Sequence, residues 1–192
     1  AGIGTLAQEL ELPENARFTF NLSWEKTPNF VFRFCAENDS DTTKQGTYEL
    51  SFNSAGMQIR RYQDGNTTEP SALIETITEI KPHTLPNQSV DIDLRVDRRD
   101  GFISLYIDTK LIGTWSDPFD APKGNHIIFN NRSKETKSCI LSSISVAALN
   151  EDVLPRYREK TSTTATDVLI DSEGEKISGV LKSISEAETN KR

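Results

Sequence analysis

The chain has 192 residues, with 22 Lys plus Arg against 29 Asp plus Glu, a net charge of −7, and only 2 Cys, 2 His and 1 Met. Such a length allows one domain with an appendage and a core that needs no covalent staples. An acidic chain without a basic cluster lacks the phosphate contacts that nucleic-acid affinity requires, two Cys and two His without a CxxC form neither a disulfide framework nor a zinc site, and no apolar run approaches the ~20 residues that span a bilayer.

Apolar residues recur with a period of two, the signature of strands with one buried face. Ala16, Phe18, Phe20, Leu22 and Trp24 alternate with Arg17, Thr19, Asn21 and Ser23, and Phe30, Phe32 and Phe34 alternate with Val31, Arg33 and Cys35. The even-numbered phenylalanines are therefore expected to face inward, and Pro28 marks the turn between the two runs. After the polar tract 37–46, Tyr48, Leu50 and Phe52 form another strand. A tight connection through Asn53, Ser54, Ala55 and Gly56 leads into a strand where Met57, Ile59 and Arg61 lie opposite Gln58, Arg60 and Tyr62. A loop at 64–71 follows, and Leu73, Ile77 and Ile80 favour one more strand.

Val90, Ile92, Leu94 and Val96 then alternate with Asp91, Asp93, Arg95 and Asp97, ending at Asp100-Gly101, the strongest hairpin dipeptide in the chain. Segments 102–107, 111–115, 124–131 and 139–149 bring the total to about eleven short strands with no long helix, which describes an antiparallel two-sheet sandwich over residues 1–149. Residues 150–166, with Pro155 and a Thr/Ser cluster, read as a linker. Asp167–Ile170 and Lys176–Leu181 flank Ser172-Glu173-Gly174 as a C-terminal β-hairpin within 167–192. A lone two-stranded hairpin is marginal, so this one is expected to dock on the sandwich, to add to another chain in self-association, or to begin a further module.

The stretch "VDIDLRVDRRDGFISLYIDTKLIGTW" from Val90 to Trp115, with "ARFTFNLSWEKTPNFVFRFCAEND" before it and "ILSSISVAAL" after it, resembles the concanavalin A-like or laminin-G-like jelly roll. More narrowly, it resembles uncharacterised secreted proteins of planctomycete-type bacteria, in which a short β-rich segment such as "EGEKISGVLKSI" follows the sandwich. The resemblance covers residues 1–149 and implies an all-β concanavalin A-like sandwich in an extracytoplasmic setting. It does not select an activity, because one fold carries many functions. The chain starts at Ala1 rather than Met and shows no signal peptide, which fits a processed chain.

A glycosidase of this class needs two opposed carboxylates, and the E-x-D-x-x-E pattern that the resemblance implies for its glucanases is absent. Asp91, Asp93 and Asp97 form the nearest carboxylate row, on a face read as solvated and shared with Arg95. His83, beside Pro82, and His126, before two isoleucines, lack the context of a nucleophile elbow. Calcium is the cofactor that the resemblance implies; Asn38, Asp39 and Asp41 on one loop are the metal candidates, and the Asp117–Asp120 loop around Pro118 is a second. Sugar recognition pairs an aromatic platform with planar polar groups: Tyr62, Tyr106 and Trp115 are the aromatic candidates, with Arg60, Arg61, Asn130 and Asn131 as partners. Cys35 and Cys139 fall out of phase with the apolar rows and fit either a bridge or two thiols. Sequons at Asn21, Asn38, Asn66, Asn87 and Asn131 matter only in a eukaryotic secretory setting.

These features point to a non-catalytic binding module for carbohydrate or a cell-envelope partner. A glycoside hydrolase or lyase of the same class and a structural or protein-interaction module are the alternatives.

Overall fold

The computed structural model describes residues 4–39, 46–62, 72–117, 119, 121–133, 139–149, 167–170 and 176–179, with backbone alone at 72–73, 167–170 and 176–179. Thirteen strands occur among them: β1 Gly4–Glu9, β2 Asn15–Ser23, β3 Phe30–Ala36, β4 Thr47–Asn53, β5 Gly56–Tyr62, β6 Ala72–Ile77, β7 Ser89–Asp97, β8 Phe102–Ile107, β9 Lys110–Ser116, β10 His126–Asn131, β11 Ile140–Ala148, β12 Asp167–Ile170 and β13 Lys176–Gly179. One antiparallel sheet has six strands in the order β1-β10-β3-β4-β5-β6, and a second has five in the order β11-β2-β7-β8-β9. The two form the expected β-sandwich. β12 and β13 make a separate antiparallel pair, in register from Asp167 opposite Gly179 to Ile170 opposite Lys176. The chain divides into two units, Ala1–Pro155 and Arg156–Arg192; the expected linker at 150–166 lies outside the described residues.

The alternation sets the core. Phe18, Phe20, Phe30, Phe32 and Phe34 are all at most 3% exposed. Phe32 lies at their centre, 4.6 Å from the ring of Phe129 and within 5.5 Å of Phe18, Phe20 and Phe34. From the five-stranded sheet, Val90, Ile92, Leu94, Val96, Ile103 and Leu105 close the same layer.

The turns follow their residues. Asn53 accepts the Ala55 N–H at 2.8 Å across the two-residue β4–β5 loop, and Gly56 continues at φ +127, where a Cβ would stand 2.6 Å from the Ile77 carbonyl oxygen. Asp97 caps the β7–β8 turn by accepting the N–H groups of Arg99 and Asp100.

Two features depart from the sequence reading. β1 was not expected, because Gly4–Glu9 is a mostly exposed edge strand that carries no alternation of buried and wet positions. Cys35, expected on the outer face, is fully buried in the core. Its φ of +54 accompanies a register shift between His126 and Ile128 in the β10–β3 pairing, and such a bulge turns one side chain to the other face. No disulfide joins Cys35 and Cys139, and burial pushes the Cys35 thiol up to about 12.

Candidate functional site

The outer face of the six-stranded sheet carries charge where the sandwich could have left small polar groups. Register places Arg33 of β3 opposite Glu49 of β4, and Glu49 opposite Arg60 of β5. Arg33 and Glu49 are 1% and 4% exposed, and the Arg33 Nε donates to Glu49 Oε2 at 2.9 Å. The Tyr62 hydroxyl donates to Glu49 Oε1 at 3.3 Å, and the Arg132 guanidinium approaches Oε2 to 3.9 Å. Burial, reinforced by the Glu49 charge, pushes the Tyr62 phenol up to about 12, so it remains a donor at neutral pH. A buried ion pair is weak support for stability, since desolvation offsets much of its attraction.

Around this bed stand groups that reach solvent. Arg60 and Gln58 are half-buried and bonded to each other at 2.9 Å. Asn130 of β10 faces the same way but is only 1% exposed; its amide N–H donates to the Thr5 hydroxyl at 3.2 Å, while its buried Oδ1 has no hydrogen-bond partner among the described residues. The arrangement is a preorganised polar surface of donors and acceptors rather than an acid–base pair.

The sugar candidates therefore divide. Arg60, Tyr62 and Asn130 share the six-stranded outer face, but Tyr62 is 7% exposed and serves Glu49 through its hydroxyl instead of offering a stacking platform. Asn131, one residue on, points the opposite way and lies at the sandwich rim with Phe30 and Cys139. Arg61 is interior and paired with Asp117. Trp115 of β9 is committed elsewhere: its ring lies over Gly113, where a Cβ would come within 2.5 Å, and its N–H donates to Glu75 Oε2 at 3.0 Å, tying β9 to β6.

Tyr106 of β8 belongs to the outer face of the five-stranded sheet, beside Asp93. Arg17 grips Asp93 with Nε and Nη2 at 3.0 and 2.9 Å, and Arg95 does so at 3.3 and 2.9 Å while lying 4.1 Å over the Tyr106 ring. Burial alone would raise the Asp93 carboxyl, but the bonds and charges of Arg95 and Arg17 outweigh it and hold the group below the usual carboxylate range. A depressed carboxylate adds stability that is present above the unfolded value of about 3.9 and is lost as pH falls through the folded one. Urea unfolding should accordingly show Asp93→Asn less stable than wild type at pH 7, with the gap closing as the pH falls below about 4. A gap independent of pH would contradict this.

The carboxylate row does not converge. Asp93 is saturated by two arginines, Asp97 caps a turn, and Asp91 is exposed and bonded to Asn21 at 2.8 Å. His83 is exposed, and His126 is half-buried at the start of β10. Asn38 is half-buried and Asp39 exposed, whereas Asp41, Pro118 and Asp120 lie outside the described residues. Asp117 has no oxygen to spare for a metal: Oδ2 accepts from Tyr48 and Arg61, and Oδ1 from the Phe119 N–H. No group of three His, Cys, Asp or Glu that could hold a metal ion occurs among the described residues.

Sequence reasoning missed Arg33, Glu49 and Arg132 as members of a site. Each is an ordinary charged residue in its own segment, and only the strand order brings them together.

No protein-family model matches the chain, and no curated protein matches it in sequence. Among solved structures, the sandwich is similar to sheep galectin-11 in complex with glycerol, with a TM-score of 0.51 and 11% identity over 74% of this chain and 96% of that one. A mutant of HCR/D gives 0.51 at 14% identity over 77% of this chain and 38% of that one. A tetrameric galectin from the ball sponge Cinachyrella sp. gives 0.49 at 14% identity over 77% and 100%. At these identities the likeness is one of fold, and the two at 0.51 agree with the jelly-roll β-sandwich that the strand order shows.

Proposed function

We propose that the sandwich is a non-catalytic carbohydrate-binding module whose ligand lies on the outer face of the six-stranded sheet, over Glu49 and against Arg60 and Gln58. The observation that carries this reading is the convergence of Arg33, Tyr62 and Arg132 on the Glu49 carboxylate. Such a network fixes planar donors and acceptors before a ligand arrives, and fixed geometry lowers the ordering cost of binding a flexible, hydroxyl-rich molecule. The buried Asn130 oxygen, without a hydrogen-bond partner among the described residues, is a further acceptor on the same face. The sheep galectin with this fold is a complex with glycerol, itself a triol.

Screening the full chain on a glycan array and titrating the hits by calorimetry tests the proposal. Arg60→Ala should weaken binding about 10- to 100-fold, the worth of a hydrogen bond from a charged group. Glycans that bind both proteins equally, or no glycan binding at all, would remove this reading. Shortened glycans in the wild-type mixture would favour the hydrolase or lyase alternative.

The extracytoplasmic setting, the cell-envelope partner and the narrower laminin-G-like kinship belong to the same proposal and rest on the resemblance of residues 1–149. No helix among the described residues is long and apolar enough to cross a membrane. The division into a sandwich at 1–149, a linker at 150–166 and a hairpin unit at 167–192, with self-association through the hairpin edge, is likewise proposed. One observation favours the protein-interaction alternative: Leu6 and Ile144, 53% and 42% exposed, border an apolar groove of about 390 Å³ between the edge strands β1 and β11.

A further inference from the structure

The five-stranded sheet has a groove of its own on the opposite side of the sandwich, of about 360 Å³, crossed by Arg17, Asn21, Asp91, Asp93, Arg95 and Tyr106. Its floor is stiff. Two arginines grip Asp93 from both sides, and Arg95 is stacked on Tyr106, so none of these side chains needs ordering when a ligand arrives. Two wall residues hold unusual backbone. Ser143 has φ +54 at a register shift in the β11–β2 pairing, and Thr109 has φ +71 in the β8–β9 turn, a conformation that costs free energy for a β-branched residue.

The chemistry of the groove selects a ligand class. Two arginines offset two aspartates, so the floor is neutral, and an anion approaching the guanidinium groups would also meet Asp91. All four bonds to Asp93 are internal. Arg17 spends Nε and Nη2 on Asp93 while its side chain stays 42% exposed. At the other end Asn21 donates to one oxygen of the exposed Asp91 at 2.8 Å. Arg17 and Asn21 lie on one strand face, about 13 Å apart at 3.3 Å per residue. The groove thus offers the Arg17 and Arg95 guanidinium groups at one end, the Asn21 and Asp91 pair at the other, and the Tyr106 ring at the level of Asp93 between them.

We infer that this groove is a second ligand site, for a neutral oligosaccharide, which makes the sandwich bivalent with one glycan on each outer face. The inference goes beyond the site at Glu49 and uses none of its residues. Backbone amide NMR of the full chain, titrated separately with lactose, cellotetraose, mannotriose and sodium sulfate, decides it. At least one sugar should give saturable shifts at the amides of Asn21, Asp93 and Tyr106. Those shifts should persist in Arg60→Ala and weaken at least tenfold in both Arg17→Ala and Asn21→Ala, with the rest of each spectrum unchanged as proof of folding. No shift with any of the three sugars, shifts with sulfate only, or shifts that vanish in Arg60→Ala would each overturn the second site. Failure at Glu49 is read separately, from the amides of Ser51 and Gln58.

Discussion

Replacing Phe32 with Ala should destabilise the sandwich by about 3 to 5 kcal/mol in urea unfolding, the range for emptying a buried aromatic position. Phe32 is fully buried and touches aromatic rings from both sheets: Phe18 and Phe20 of β2, Phe34 of its own strand, and Phe129 of β10. The loss therefore includes ring–ring contacts as well as apolar area, each pair contributing about 0.5 to 1.5 kcal/mol beyond burial. Phe32→Leu keeps most of the volume and should recover more than half of the loss. A near-neutral Phe32→Ala would mean that the two sheets do not share one packed layer.

A comparable loss is expected from Asp117→Ala, for an electrostatic reason. Asp117 and Arg61 have side chains 0% and 4% exposed, joined at 3.0 Å, and the Tyr48 hydroxyl donates to the same oxygen at 2.7 Å. Burial, then the Asp117 carboxylate itself, raises the Tyr48 phenol above its usual range, so the hydroxyl stays a donor. Removing Asp117 leaves the buried Arg61 guanidinium without its carboxylate, at a cost of about 3 to 5 kcal/mol. Taking away the cation as well relieves that cost, so the double variant Asp117→Ala with Arg61→Met should be much less destabilised than the sum of the singles. Strict additivity in the double-mutant cycle would show that the two residues do not act as a pair.

These two expectations differ in how far they were visible beforehand. The inward direction of Phe32 follows from its own neighbours, because side chains alternate across a strand whatever that strand pairs with. The Arg61–Asp117 pair does not, since Arg61 lies in the six-stranded sheet and Asp117 directly follows β9 of the five-stranded one, so the two meet only when the sheets stack. Local patterning gave Arg61 the inward direction, but nothing in its segment supplied the anion that waits there.

The binding surfaces behave like Arg61. Arg60 and Tyr62 could be placed together from alternation on β5 alone, and Tyr106 could be placed on the face that carries Asp93. Glu49, Arg33 and Arg132 come together only because β3 lies between β10 and β4, an order that no local pattern encodes. Trp115, an apparent platform in sequence, is used up by Gly113 beneath its ring and Glu75 across the sandwich. Cys35 reverses its face because of a bulge against β10, a strand far away along the chain.

What the sequence by itself determined is whatever depends on the period of two and on turn chemistry: which side of each buried strand is apolar, where Asn53 and Asp100-Gly101 fold the chain back, and hence an all-β sandwich. What only the tertiary structure decided is which charged side chains become cross-strand neighbours. A pair of opposite charges gains its energy and its geometry from register, and register between distant strands is set by the packing of the whole core rather than by either segment. The Glu49 network and the Asp93 plate are therefore properties of the fold, written in residues that look ordinary one strand at a time.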